Sequence, residues 1–103
     1  MHRISLSEFE GYEGEWVELP DRRSYGVRNA VSDSLGAGMA AYNRTRMSLY
    51  VAAWSLPGDP KNETVVDELD EEIAAFILEQ AEAWFGRSLR SSEERKSDPG
   101  AVG

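Results

Sequence analysis

The chain has 103 residues, a formal charge of −8 and no cysteine. Its length suits a single domain. Proteins bind nucleic acid largely by releasing counterions with Lys and Arg, so an acidic chain is not expected to bind a phosphate backbone. Without cysteine, disulfides and thiolate metal sites are excluded as well.

The first twenty residues predict a short β arm or hairpin. In the stretch 15–19 the apolar Val17 and Leu19 stand two apart with Glu18 between them, and this spacing of two is typical of a strand. Gly11 and Gly14 separate this stretch from an earlier apolar one. Pro20 follows directly, and it either ends the strand or confines it to a sheet edge.

The middle of the chain predicts two helices, near 24–35 and 39–54. Asp21 or Ser24 offers the first N-cap. The sequence Gly36-Ala37-Gly38 interrupts the pattern, because two glycines cost about 2 kcal/mol of helix propensity. The apolar part of the second segment, 47–56, also fits a buried strand, since periodicity does not separate the two over so few residues. We favour a helix there.

A third helix is predicted over 70–86, after a Pro- and Gly-rich loop and a possible helical turn beginning at 64–66. Asp70 is its candidate N-cap, and the acids of the first turn suit the helix dipole. Gly86 fits the left-handed position that ends many helices. One face of this helix is apolar and consists of Leu69, Ile73, Phe76, Ile77, Ala81 and Trp84.

These segments together predict a mainly α fold. We expect residues 1–90 to form one globular helical domain with an extended N-terminal arm. Residues 91–103 are rich in Ser, Glu, Arg and Lys and contain few apolar side chains. Such a composition does not offset the entropy lost on ordering, so the sequence predicts a disordered polar tail there.

No group of residues predicts catalysis. The single histidine, His2, lies at a terminus, and the acidic run 67–72 is explained by a helix start with a solvated face. That run lacks the glycine and the spacing of a calcium loop. Gly36 and Gly38 lack the lysine of a phosphate-binding loop. We therefore expect no catalytic residue, no metal site and no cofactor.

The aromatic residues of the second half allow two interpretations. Trp54 precedes a Pro–Gly turn, and Trp84 and Phe85 close the predicted third helix. They either pack in the core or anchor a protein partner, because Trp is enriched at binding hot spots. The candidate partner-binding set is Trp54, Leu56, Ile73, Phe76, Ile77, Trp84 and Phe85.

The start of the chain predicts no export. Glu8 and Glu10 stand where a signal peptide needs an apolar run. No stretch approaches the ~20 apolar residues that span a bilayer. We expect a soluble, intracellular protein without a membrane partner.

The order of these segments resembles the small tail assembly chaperones of long-tailed, siphovirus-like bacteriophages. Three segments carry the resemblance: the early strand 15–20, the aromatic end of the middle segment at 50–56, and the step 65–70 into the last helix. A Pro–Gly–Asp turn separates the last two. The likeness spans residues 12–90.

The resemblance implies a non-enzymatic protein that acts in the host cytoplasm while a tail is built. Proteins of this family coat the tape-measure protein, help to bring the major tail protein to it, and are absent from the finished particle. Self-association is left open. The sequence also allows a structural virion component, such as a head–tail connector or neck protein, or an acidic interaction or inhibitor module; a small enzyme is the least favoured alternative.

Overall fold

The computed structural model describes the backbone of residues 1–97 and the side chains of residues 1–87. Within this range a three-stranded antiparallel sheet shares one core with four α-helices, which confirms the predicted mainly α fold. The strands are β1 (His2–Ser5), β2 (Trp16–Leu19) and β3 (Ala53–Trp54). The helices are α1 (Tyr25–Ser34), α2 (Met39–Tyr50), α3 (Glu63–Asp67) and α4 (Glu71–Ser97), and a 3-10 turn (Leu35–Ala37) joins α1 to α2.

The sheet begins with the predicted N-terminal hairpin. β1 and β2 pair antiparallel, with Ile4 opposite Val17. β3 adds to the other side of β2, with Trp54 opposite Val17. The period of two turns Ile4, Val17 and Leu19 into the core. β2 is therefore the central strand, and Pro20 ends it.

The helix predicted over 39–54 is too long. α2 ends at Tyr50, and residues 53–54 form β3. The backbone N–H of Ala52 donates to the Glu18 carbonyl at 2.9 Å, and that of Ser55 donates to the Trp16 carbonyl at 3.0 Å. The open side of β2 thus offers hydrogen bonds to the chain that leaves α2, and the apolar run alone carried no sign of this partner.

The helix predicted over 70–86 is too short. α4 continues to Ser97, and Gly86 lies inside it without a positive φ. A glycine within a helix costs only about 1 kcal/mol, so it does not have to end one. The first seven residues of the predicted tail 91–103 belong to this helix. The remaining residues, 98–103, lie outside the described part of the chain, and the predicted domain boundary at residue 90 falls within α4.

The helix starts follow from local chemistry. The Ser24 hydroxyl accepts the N–H of Val27 at 3.1 Å, so Ser24 rather than Asp21 caps α1. The Asp70 carboxylate accepts the N–H of Glu72 at 2.9 Å at the start of α4. Asn62 caps α3, which lies where a short helical turn was predicted. Each cap satisfies an N–H that has no partner within its own helix.

The core lies between the sheet, α2 and α4. Its members are apolar side chains that are less than a tenth exposed: Ile4, Leu6, Val17, Leu19, Val31, Met47, Tyr50, Val51, Trp54, Leu56, Val66, Ile73, Ile77, Leu78, Ala81 and Phe85. Val31 is the one residue of α1 among them. α1 is thus the least buried of the long helices, and most of its surface faces solvent.

Candidate functional site

The seven residues predicted to bind a partner do not form an exposed surface. Five of them, Trp54, Leu56, Ile73, Ile77 and Phe85, are buried in the core. Phe76 and Trp84 are half-buried and pack against that core. Of the two interpretations left open for the aromatic residues, the structure favours core packing.

The N-terminal segment packs against Phe76 and Trp84, two members of the predicted apolar face of α4. The Phe9 ring meets Phe76 edge-on, with 5.0 Å between ring centroids. The His2 ring stacks on the Trp84 indole at 3.9 Å. The indole N–H of Trp84 donates to the Pro20 carbonyl at 2.9 Å. These contacts join residues more than sixty positions apart, so the pattern of α4 alone did not indicate them.

A different depression is open to solvent, between α2 and α4. Two adjoining hollows share the lining residues Asn43, Ala74 and Leu78, and we name them together the α2–α4 groove. Its lining consists of Ala40, Asn43, Arg44, Arg46, Met47, Val66, Asp67, Leu69, Glu71, Ala74, Ala75, Leu78, Glu79 and Glu82. Sequence reasoning missed it because its two walls come from helices that are separated in the chain by β3 and α3.

Small and apolar side chains form the floor of the α2–α4 groove. Ala74 and Ala75 lie on α4, with Leu78 one turn further along. Met47 of α2 is fully buried beneath them. The distance between packed helices depends on the side chains at the contact, and alanines let a third helix approach closely. These small side chains would therefore allow another helix to approach α4 closely.

The rim of the α2–α4 groove is acidic on the α4 side. Glu82 binds Arg46 at 3.3 Å and Arg23 at 3.7 Å, so its charge is compensated. Glu71 and Glu79 form no ion pair with any residue in the described range. Their positions, eight residues or about two helical turns apart, flank Ala75 on the same side of α4. Uncompensated negative charge thus borders an apolar floor.

A smaller apolar hollow lies beneath the turn after β3. Tyr12, Leu56, Pro57, Val65 and Leu69 line it, with Glu68 at its edge. It lies on a different side of α3 from Asp67 and the groove floor, since only Leu69 borders both hollows.

The described residues contain no cluster of three or more His, Asp or Glu side chains that could bind a metal. The buried side chains of residues 1–87 are all apolar or aromatic. None of the helices is long and apolar enough to cross a membrane, as far as the described residues go.

Comparison of the chain with protein-family models, with curated proteins and with solved structures found no match.

Proposed function

We propose that this chain is a non-enzymatic assembly chaperone that binds helical segments of a client protein in the α2–α4 groove. The observation that carries the proposal is the groove itself, with an alanine and leucine floor beside uncompensated glutamates. In keeping with the resemblance of the sequence, the client is the tape-measure protein of a phage tail. The second partner is the major tail protein. The chaperone acts in the host cytoplasm and is absent from the finished particle.

The physics of the groove supports a helical client. An amphipathic helix that lies in such a groove buries its apolar face against Ala74, Ala75 and Leu78. Each square ångström of apolar surface removed from water contributes about 25 cal/mol. A long client with many exposed apolar helices aggregates unless those faces are covered. The formal charge of −8 keeps a covered client soluble through mutual repulsion.

The rim selects the charge of the client helix. Glu71 and Glu79 are free to pair with cations two turns apart on a helix in the groove. The expected client segment therefore carries Lys or Arg beside its apolar stripe. We expect small residues on the client helix where it comes closest to the alanines of the groove floor.

A co-expression experiment tests the proposal. The tape-measure protein encoded beside this chain is produced with the wild type, with Ala75→Arg, or with Ala83→Arg. Both alanines are exposed on α4, but only Ala75 borders the groove. We expect the wild type and Ala83→Arg to bring the client into the soluble fraction as a complex. Ala75→Arg should leave it in the pellet, since the long cation obstructs the groove.

Two results would contradict the proposal. If Ala75→Arg and Ala83→Arg bring the same amount of client into the soluble fraction, the groove does not bind the client. An insoluble client with the wild type, together with this chain in purified particles, would instead indicate a structural component of the virion.

A further inference from the structure

A second exposed surface lies on α1 and on the turn that joins it to α2. Four large apolar side chains of residues 1–87 are strongly exposed, and three of them lie between residues 25 and 39. Tyr25 is 77% exposed, Leu35 50% and Met39 60%. Single exposed apolar residues are ordinary, but their concentration in one segment is typical of an interaction site. We name Arg22, Tyr25, Arg28, Leu35 and Met39 the α1 outer surface.

Helical spacing places these residues together. Tyr25, Arg28 and Leu35 follow one another at intervals of three and seven, which share one face of a helix. Val31, the buried residue of α1, lies between Arg28 and Leu35 at intervals of three and four, so this surface borders the side of α1 that packs on the core. The N–H of Gly38 donates to the Leu35 carbonyl at 3.0 Å, and Met39 follows directly as the first residue of α2.

The same surface carries positive charge that nothing within the described range compensates. Arg3, Arg23, Arg44 and Arg46 each bind a carboxylate, and Arg87 binds two backbone carbonyls. Arg22 and Arg28 form no ion pair or hydrogen bond with a side chain of residues 1–87. Two of the arginines in that range are thus available, and both belong to the α1 outer surface.

The charge of the segment is opposite to that of its surroundings. Residues 21–50 contain five arginines and two aspartates, a formal charge of +3. Residues 1–20 and 51–86 contain fourteen acids, one arginine and one lysine, a formal charge of −12. An acidic partner is therefore repelled over most of the molecule and attracted at the α1 outer surface. Such an arrangement fixes where and how a partner docks.

We infer that the α1 outer surface binds an acidic amphipathic helix of a second protein partner. The apolar side of that helix covers Tyr25, Leu35 and Met39, while its Asp or Glu residues pair with Arg22 and Arg28. This surface goes beyond the client groove: it lies on another helix and selects the opposite charge. A second copy of the chain fits less well, since two molecules of charge −8 repel each other as they approach.

A peptide titration tests the inference. The probe is a fluorescein-labelled helical peptide of about five turns with leucines on one face and glutamates on the other, followed by fluorescence anisotropy. We expect Arg28→Glu and Tyr25→Ser each to weaken binding about tenfold, because they remove the charge and the apolar part of the surface. Lys61→Glu is the matched control, since Lys61 is exposed and lies outside this surface. It should change the affinity less than about twofold, because the inference places the attraction at Arg22 and Arg28 and not in the net charge of the molecule.

Other outcomes overturn the inference. Equal weakening by Arg28→Glu and Lys61→Glu would mean that overall charge alone attracts the peptide. If the wild type does not bind the peptide, the α1 outer surface is not a binding site for an acidic helix. The same surface would instead join two copies of the chain if the wild type is a dimer in sedimentation equilibrium and Arg28→Glu dissociates it, and this result also overturns the inference. Ala75→Arg should leave peptide binding unchanged, so failure here and failure of the groove proposal are separable.

Discussion

Tyr50 shows how a polar group is accommodated in an otherwise apolar core. Its side chain is the largest of the fully buried ones within residues 1–87. Its hydroxyl accepts a hydrogen bond from the Arg23 guanidinium at 2.7 Å, and its ring meets Phe85 edge-on at 5.1 Å. Burial raises the pKa of Tyr50 above its ordinary value of 10.0, and the hydrogen bond from Arg23 opposes this only in part.

The raised pKa of Tyr50 predicts a loss of stability in alkaline solution. The native state holds the phenol proton more tightly than the unfolded state, so the free energy of unfolding falls as the pH rises above 10.0 and through the native pKa. Tyr50→Phe should lose about 1 kcal/mol at neutral pH, from the missing hydrogen bond, and show a smaller alkaline decline. Urea unfolding on both sides of that pH measures the difference. Parallel pH curves for the two proteins would contradict the prediction.

Gly58 is required by both its backbone and its neighbour. Its φ is +86°, and a Cβ there would lie 2.8 Å from both γ-carbons of Val65. We expect Gly58→Ala to cost about 2 kcal/mol in the free energy of unfolding. Gly14 has a φ of +81° but no atom within 4 Å of such a Cβ, so Gly14→Ala isolates the backbone part.

The steric part of the Gly58 prediction has its own control. Val65→Ala in the Gly58→Ala background removes the two γ-carbons, and it should recover part of the lost stability despite the smaller side chain. Thermal unfolding is compared for the wild type, Gly14→Ala, Gly58→Ala and the double variant Gly58→Ala/Val65→Ala. A Gly58→Ala protein no less stable than Gly14→Ala would show that the Val65 contact costs nothing.

At the scale of the element, α4 is continuous through Gly86. Among the described side chains, and apart from the neighbouring backbone of α4 itself, nothing lies within 4 Å of a Cβ built at Gly86, and α4 extends from Glu71 to Ser97. Gly86→Ala should therefore raise the free energy of unfolding by up to about 1 kcal/mol, because alanine loses less backbone entropy in a helix. Circular dichroism during urea unfolding measures it.

An exposed alanine of the same helix provides the reverse substitution. Ala83→Gly should lower stability by an amount similar to the gain from Gly86→Ala, about 1 kcal/mol. Destabilisation by Gly86→Ala would mean that residue 86 needs a conformation other than the helical one.

At the scale of the whole molecule, ion pairs tie the basic α1–α2 segment to the acidic remainder. Arg44 binds Asp67 of α3 at 2.8 Å. Glu82 of α4 binds Arg46 at 3.3 Å and Arg23 at 3.7 Å. The side chains of Arg46 and Arg23 are 17% and 15% exposed, so water screens these two pairs less than it would at an open surface.

Glu82 should therefore matter more than its neighbour Glu79. We expect Glu82→Gln to cost about 1–2 kcal/mol, because it weakens two charge-assisted contacts and leaves two arginines half-compensated. Glu79→Gln removes the same charge from the same helix but breaks no ion pair of the described residues. It should stay within about 0.5 kcal/mol of the wild type. If Glu82→Gln and Glu79→Gln lower the free energy of unfolding in urea equally, Glu82 contributes only through the net charge of the molecule.

Local chemistry determined the parts of this fold that the sequence predicted correctly. Ser24 and Asp70 cap helices through bonds to residues two or three positions ahead, so neighbouring residues suffice to identify them. Val17 and Leu19 form the buried side of β2 because their spacing of two residues matches the pleat of a strand. The acidic composition and the absence of cysteine likewise needed no structure.

Contacts between distant segments decided the rest. Residues 53–54 became β3 because β2 had an unpaired side, and the apolar run fits a helix equally well without that strand. Phe76 and Trp84 looked available on α4, but Phe9 and His2 cover them from the other end of the chain. The α2–α4 groove exists only once the two helices pack, because neither one alone forms both of its walls.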